Sequence, residues 1–361
     1  MISLRSGTVT GVRRRWAGAV ELEVTVDGAA GVALAYPLLV GEPLAGDEVV
    51  LNTTAVDAGL GTGGYHLVVC CPARLPADRD GPGHIMKARY TPLQAMVLGV
   101  DEQDSPHHAV VAATTSLGGV PVVIADLHSA LPAVLAGIRS VHAGARVVYV
   151  MTDGGALPLW FSRSVAELRS LGQLAATVTV GQAFGGDHEA VTLHSGLIAA
   201  YAVERADVVV VTQGPGNLGT GTPWGFSGVA AGEAVNAVAA LGGTPVGALR
   251  ISGADERERH RGISHHSRTA YGRVALARAR IVVPELGVAL AAEVEADLVE
   301  SGIAERHELV RVPAAGLLES LRASGAALST MGRGLDEDPA YFVAAAAAGR
   351  YAAGQAAPTA L

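Results

Sequence analysis

Aromatic side chains make up only 4% of this 361-residue chain, and cysteine occurs twice. Scarce rings remove the stacking platforms on which single-strand nucleic-acid binders depend. The two cysteines, Cys70 and Cys71, are neighbours, a placement that rarely meets disulfide geometry. A disulfide scaffold is therefore excluded, and a reducing cytoplasm is the expected home. No charged-then-apolar leader opens the sequence, and no apolar run reaches spanning length, so no membrane segment is expected. Positive charge is in deficit: 26 Lys and Arg against 34 Asp and Glu give −8. That balance argues against general binding to nucleic acid or membrane surfaces, though it leaves room for a local basic pocket.

What the chain has in quantity is small aliphatics, half of all residues being apolar. Packing without rings suits parallel strands covered by helices on both faces. The length gives a prior of roughly two domains. Residues 1–73 read as a small all-β unit, with runs at Thr8–Val12, Val20–Val26, Val32–Ala35, Glu48–Leu51 and His66–Val69 separated by turn residues such as Asp27-Gly28 and Gly46-Asp47. Five short strands predict a small β-barrel or β-sandwich. Composition shifts to Pro, Asp and Arg from Pro72 to Gly83, and residues 74–108 read as linker and connecting segment.

Residues 109–361 alternate strand and helix patterns. Strands are expected at Ala109–Ala113, Val120–Ala125, Arg146–Met151, Ala176–Val180, Asp207–Val211, Pro245–Ile251, Arg280–Val283 and Leu309–Val312. Helical patterns fall at Ser129–Val141, Ser162–Leu171, His188–Glu204, from about Trp224 to Leu241, and near Ala314–Ser324 and Pro339–Ala353. The fold class is α/β: a mainly parallel, Rossmann-like sheet with helices on both faces, joined by right-handed crossovers. The run Ala344–Ala348 favours close helix packing or a partner contact, hence a homo-oligomer, and the last residues, GQAAPTAL, read as a frayed tail.

In such sheets ligands bind beyond the carboxyl ends of the strands. Five of those ends carry polar clusters: Asp126, His128 and Ser129; Thr152 and Asp153; Gln182, Asp187 and Glu189; the loop after Val211; and Arg250 with the segment behind it. The loop, QGPGNLGTGT, offers Gly214, Gly216, Asn217, Gly219, Thr220 and Thr222, and strand, glycine turn and helix together can present backbone N–H groups to an anion. Its spacing matches neither the dinucleotide fingerprint nor a lysine-bearing Walker loop. The segment 257–267 concentrates Arg257, Arg259, His260, Arg261, Ser264, His265 and His266, combining guanidinium forks for carboxylate or phosphate with imidazoles that transfer protons near neutrality. Lys87 and Arg89 could join the same anion pocket or lie on the surface. Bland alternatives stand beside each: Asp126 and Ser129 as helix caps, Asp153 as a turn residue, Asp187 and Glu189 as acids opening a helix. His188 and His194 fall on different helix faces and are set aside as a metal pair.

The stretches LNTTAVDAGLGTGGYH, GHIMKARYTPLQ, EQDSPHH, DLHSALP, MTDGGALP, GQAFGGDHEAV, GPGNLGTGTPWGFSG, RHRGISHHS and TMGRGLDEDP carry a resemblance. From end to end the chain resembles a bacterial protein family catalogued only as a domain of unknown function. The resemblance implies no activity, but it adds Arg333, Asp336 and Asp338 to the residues of interest. Three functions are then in play. One is an enzyme, a hydrolase or group transferase, acting on a phosphorylated or carboxylated small molecule, with Asp153 or Asp187 working beside His265 or His266. Another is a metal-assisted hydrolase using a divalent ion held by Asp126, His128, Asp187 and His265 or His266. The third is a metabolite-sensing or partner-binding protein that uses the N-terminal β unit.

Overall fold

A computed structural model describes residues 1–60 and 63–356. Gly61 and Thr62, inside the glycine-rich end of the β unit, and the last five positions of the expected tail lie outside the described residues. Internal contacts divide the chain into two units, Met1–Val97 with Trp160–Ala166, and Leu98–Leu159 with Glu167–Leu361.

In the first unit, β1 (Leu4–Trp16), β2 (Ala19–Val26), β3 (Ala29–Ala35), β4 (Glu48–Asn52) and β5 (His66–Cys70) close into a barrel ordered β1-β2-β3-β5-β4. Barrel rather than sandwich is the outcome because β1 bonds both β2 and β4 along its length, which leaves no sheet edge. Alternate side chains of these strands, among them Val9, Leu22, Val24, Val49, Leu51 and Val68, fill the interior together with Cys71. Both cysteines are free thiols. A short antiparallel pair, β6 (Ile85–Lys87) and β7 (Ala95–Val97), follows within the segment read as connecting chain.

The second unit is built on β8 (Pro121–Ile124), β9 (Val147–Thr152), β10 (Ala176–Thr179), β11 (His188–Glu189), β12 (Val208–Gln213) and β13 (Thr244–Ala248), followed, after the small pair β14 (Ile251–Ser252) and β15 (Gly262–Ile263), by β16 (Arg280–Pro284) and β17 (Glu308–Val312). The eight sheet strands run in the order β11-β10-β9-β12-β8-β13-β16-β17, and every neighbouring pair is parallel. Val122, Val123, Val148, Val150, Val209 and Val210 are fully buried, as strands covered on both faces require. A last hairpin joins β18 (Ser329–Thr330) to β19 (Arg333–Gly334). Helix Ala230–Ala240 packs on β8, β12 and β13, while the terminal helix Pro339–Gln355 packs on β8, β13 and β16 and along helix Leu131–Arg139. Among the described residues no helix is long and apolar enough to cross a membrane.

Three expected elements come out differently. Ala109–Ala113 is not a strand but lies in helix His108–Ala113, because an apolar run of five carries no period that separates the two. The expected helix 188–204 begins as β11, whose residues pair with Val178 and Thr179, and only Leu193–Ile198 is α-helical, continued by a wider turn over Ala199–Val203. The helix placed from Trp224 starts later, with a tight turn at Ser227–Val229. Ala344–Ala348 are all buried within this chain, so the alanine run serves helix packing here.

That packing is the tightest backbone approach on this face. A Cβ added at Gly137 would stand 1.8 Å from the Ala346 carbonyl oxygen, and one at Gly349 would stand 2.0 Å from that of Val134. Alanine favours a helix over glycine by up to about 1 kcal/mol, yet overpacking typically costs about 1–3 kcal/mol. Gly349→Ala is therefore expected to lower the unfolding free energy, by about 1–2 kcal/mol in denaturant titration. An unchanged or raised value would contradict the interlock.

Candidate functional site

The chain order of the sheet decides where a crevice forms. From β8 the chain moves to β9 on one side, whereas from β13 it moves to β16 on the other. With right-handed crossovers, the segments leaving β8 and β13 depart toward opposite faces, and a gap opens beyond their carboxyl ends. Asp126 follows β8 and Arg250 follows β13, so both stand at that gap.

The segment behind Arg250 folds back over it. Ser264 donates its backbone N–H to the Arg250 carbonyl at 2.9 Å, and Arg250 N–H donates to Ser267 Oγ at 3.0 Å. Ser264 Oγ caps the short helix His265–Thr269 and meets His260 Nδ1 at 2.8 Å. The rings of His260, His265 and His266 consequently face one another, with centroids 4.2–4.9 Å apart. His266 stacks on Phe226 at 3.4 Å with planes 6° apart. Its Nδ1 stands 3.3 Å from Arg250 Nη1.

Charge at this rim is arranged around Asp255. Arg257 binds both its carboxylate oxygens at 2.9 Å, Arg333 reaches Oδ2 at 3.0 Å, and Arg250 Nη2 stands 3.5 Å away. Burial alone would raise the Asp255 carboxyl, but the Arg257 guanidinium and its neighbours hold it well below the usual carboxylate range. Arg333 also binds Asp338 Oδ2 at 3.2 Å, and Ser252 donates to that oxygen at 2.7 Å. Asp126 is more isolated: burial pushes its carboxyl up to about 6 against the pull of Arg250, and Ser267 Oγ is 3.5 Å from Oδ2. A carboxyl poised near neutrality suits proton transfer. Burial, with the arginines and the mutual proximity of the rings, drives all three imidazoles down, His260 to about 3, so they are neutral at pH 7.

The other expected site residues are engaged elsewhere. Asp153 accepts from Gly155, Ala156 and Gln182 N–H groups at 2.8–3.1 Å, the behaviour of a turn residue. Asp187 binds Arg169 and the hydroxyl and N–H of Thr177, and Glu189 binds Thr179 Oγ1 and Gly185 N–H, so neither opens a helix. His128 is buried against Tyr149, whose hydroxyl is 3.0 Å from Nδ1. Ser129 meets Tyr341 and Thr330, and the following helix has no side-chain cap. Among the described residues the expected metal set of Asp126, His128, Asp187 and His265 or His266 is not brought together as a ligand group, whereas His260, His265 and His266 are. Arg261 is exposed, and Asp336 pairs with Arg322 at the surface. Lys87, fully buried on β6, and Arg89, over the Tyr90 ring at 4.7 Å, belong to the first unit.

The glycine loop is less open to an anion than its composition suggests. Leu218 N–H donates to Ser227 Oγ, Thr220 N–H to the Gly225 carbonyl, and Gly225 N–H to Thr222 Oγ1, all at 2.8–3.1 Å. Gln213 ties the base of the loop together, donating to the Asp126 carbonyl at 2.7 Å and to Asn217 and accepting from Ser227. Glycine at 216 reflects a φ of +92° rather than crowding, since a Cβ there meets nothing within 4 Å; at Gly219 the nearest atom is 3.9 Å away. A valine at either position would not fill the loop.

Asp255, Ser252, Ser267 and Phe226 escape a reading of the sequence. Asp255 stands in SGADERERH, where flanking acids and arginines conceal which carboxylate is buried. A concavity of about 630 Å³ lies instead beyond the amino ends of β9 and β10. Its cations are engaged: Arg139 donates to the carbonyls of Ala143, Ala145 and Gln173, and Arg146 pairs with Glu204. Volume and chemistry thus separate, and the chemistry favours the rim of β8 and β13. A family model described as "Protein of unknown function (DUF3866)" matches residues 32–349. No curated protein and no solved structure matches the chain.

Acid titration separates the structural histidine from the rim. Burial lowers the His128 imidazole from 6.5 to about 4, so unfolded chains bind its proton first and stability falls as pH drops through that window. Asp126 has the opposite sign, since its raised carboxyl takes a proton in the folded state before the unfolded one. The pair must therefore be separated by substitution. The stability advantage of the wild-type protein over His128→Gln should shrink, by on the order of 2–3 kcal/mol, between pH 6.5 and 4 in chemical denaturation. Parallel curves would mean that His128 is not buried neutral.

Proposed function

We propose that this chain, which belongs to that family of unknown function, is an enzyme of the hydrolase or group-transfer class acting on a small phosphorylated or carboxylated molecule. The reading places its substrate where Rossmann-like sheets hold ligands, beyond the carboxyl ends of β8 and β13.

One observation carries it. Arg250 is a guanidinium only 4% exposed, yet its side-chain partners stand at 3.3 and 3.5 Å. A charge taken out of water is costly unless closely bonded, and charge-assisted N–H···O contacts ordinarily run at about 2.7–2.9 Å. The neighbouring Arg257 has such contacts with Asp255; Arg250 is left for a further acceptor. A phosphate or carboxylate reaching it would pass the half-buried rings of His265 and His266. There Asp126 supplies a carboxyl raised toward neutrality by burial, and the imidazoles supply uncharged polar rings whose basicity burial lowers.

Thermal-shift titration tests the binding half of this reading. Inorganic phosphate should raise the melting temperature of the wild-type protein, by an amount that grows with the logarithm of concentration above Kd. Arg250→Gln should abolish the rise. His265→Ala should leave the melting temperature without phosphate nearly unchanged and weaken the response. A full phosphate response in Arg250→Gln would overturn the assignment.

A further inference from the structure

We infer that His260, His265 and His266 form a three-imidazole site for a zinc-class divalent cation, with one coordination position open toward Arg250. One ring nitrogen from each residue lies within 4.8 Å of the others. Imidazole is the preferred side chain for zinc and its first-row neighbours, and three protein ligands with a fourth position open is the arrangement of catalytic rather than structural zinc.

Packing alone does not account for the arrangement. Three polar rings meet at one point, and among the described residues His265 Nε2 is buried with no hydrogen-bond partner. An unsatisfied buried nitrogen is destabilising, and coordination would satisfy it. One support matches that of metal-binding histidines, whose second nitrogen is held by a neighbouring polar group. His260 Nδ1 faces Ser264 Oγ at 2.8 Å, leaving its other nitrogen for the cluster. Phe226 fixes the plane of His266. At Zn–N distances of about 2.0–2.1 Å, tetrahedral ligand nitrogens stand about 3.4 Å apart, so the trio needs to close by up to about 1.4 Å.

Histidine binds metal as the neutral ring. Arg250 adds positive charge nearby, its Nη2 standing 3.5 Å from Asp255. An anion occupying the open position would touch both the cation and the Arg250 guanidinium. That use of the ion rests on the function proposed above; the binding of the ion does not.

The test is titration of chelator-treated full-length protein with Co²⁺, followed by its visible ligand-field bands, and then displacement by Zn²⁺. Equimolar binding with the intense bands of four-coordinate cobalt is expected. His265→Ala should weaken it by about 100-fold or more, and Ser264→Ala by roughly 10- to 100-fold. His194→Ala, an exposed histidine elsewhere in the unit, should change nothing. Absence of equimolar Co²⁺ and Zn²⁺ binding, or binding that survives His265→Ala, overturns the site. If buried His260→Ala fails to fold by circular dichroism, the half-buried His265 variants still decide. A phosphate-induced thermal shift in the metal-free protein separates the two readings, because anion binding that persists without metal leaves the first intact when the second fails.

Discussion

Buried negative charge at Asp255 is what the rim of the second unit depends on. A carboxylate 3% exposed can remain ionised only with close opposite charge, and Asp255 draws Arg257, Arg333 and, more distantly, Arg250 toward itself. Each of those arginines belongs to a different stretch of chain. Arg333 brings the β18–β19 hairpin, Arg257 brings the loop after β14, and Arg250 brings the end of β13. One carboxylate thereby gathers three segments, and Asp338 repeats the device through Arg333 and Ser252. Removing either partner of such a pair strands the other in a poorly solvating place, so the network specifies position more than it adds stability.

The histidines take their places from that framework. With Arg250 fixed at the sheet, its backbone carbonyl and N–H bind Ser264 and Ser267, and the residues between them are His265 and His266. Ser264 performs two tasks, ending the chain reversal as a helix cap and orienting His260. Position in the sheet matters equally. β8 and β13 are neighbours whose onward connections run opposite ways, so the gap beyond their ends is a consequence of strand order and not of any one loop.

Much of this organisation is legible in the sequence, for physical reasons. Apolar runs such as 208–211 and 147–150 read as buried parallel strands, and the turn residues of 1–73 mark out a barrel-length series of short ones. The family membership is also carried by the sequence. Period fails where elements are shorter than one turn of evidence, as at 108–113, and where β11 is recruited to the sheet edge by pairing with β10. At the rim, Arg250, His260, His265 and His266 stand out because arginine and imidazole are unusual in an acidic, aliphatic chain. Asp153 and Asp187 stand out equally, and only coordinates reveal that local N–H groups and Arg169 occupy them. The converse error is Asp255, whose importance lies entirely in burial.

The glycine loop folds on itself, the N–H groups of Leu218, Thr220 and Gly225 bonding within it, which leaves fewer of them for an anion than its composition suggests. The account therefore turns on the state of one guanidinium. A crystal structure of the full chain soaked in phosphate or sulfate would address it directly. The anion is predicted to lie against Arg250 beside His265 and His266, with Asp255 still held by Arg257 and Arg333. An Arg250 closed onto Asp255 at ordinary ion-pair distance, with the anion bound elsewhere or not at all, would contradict the account.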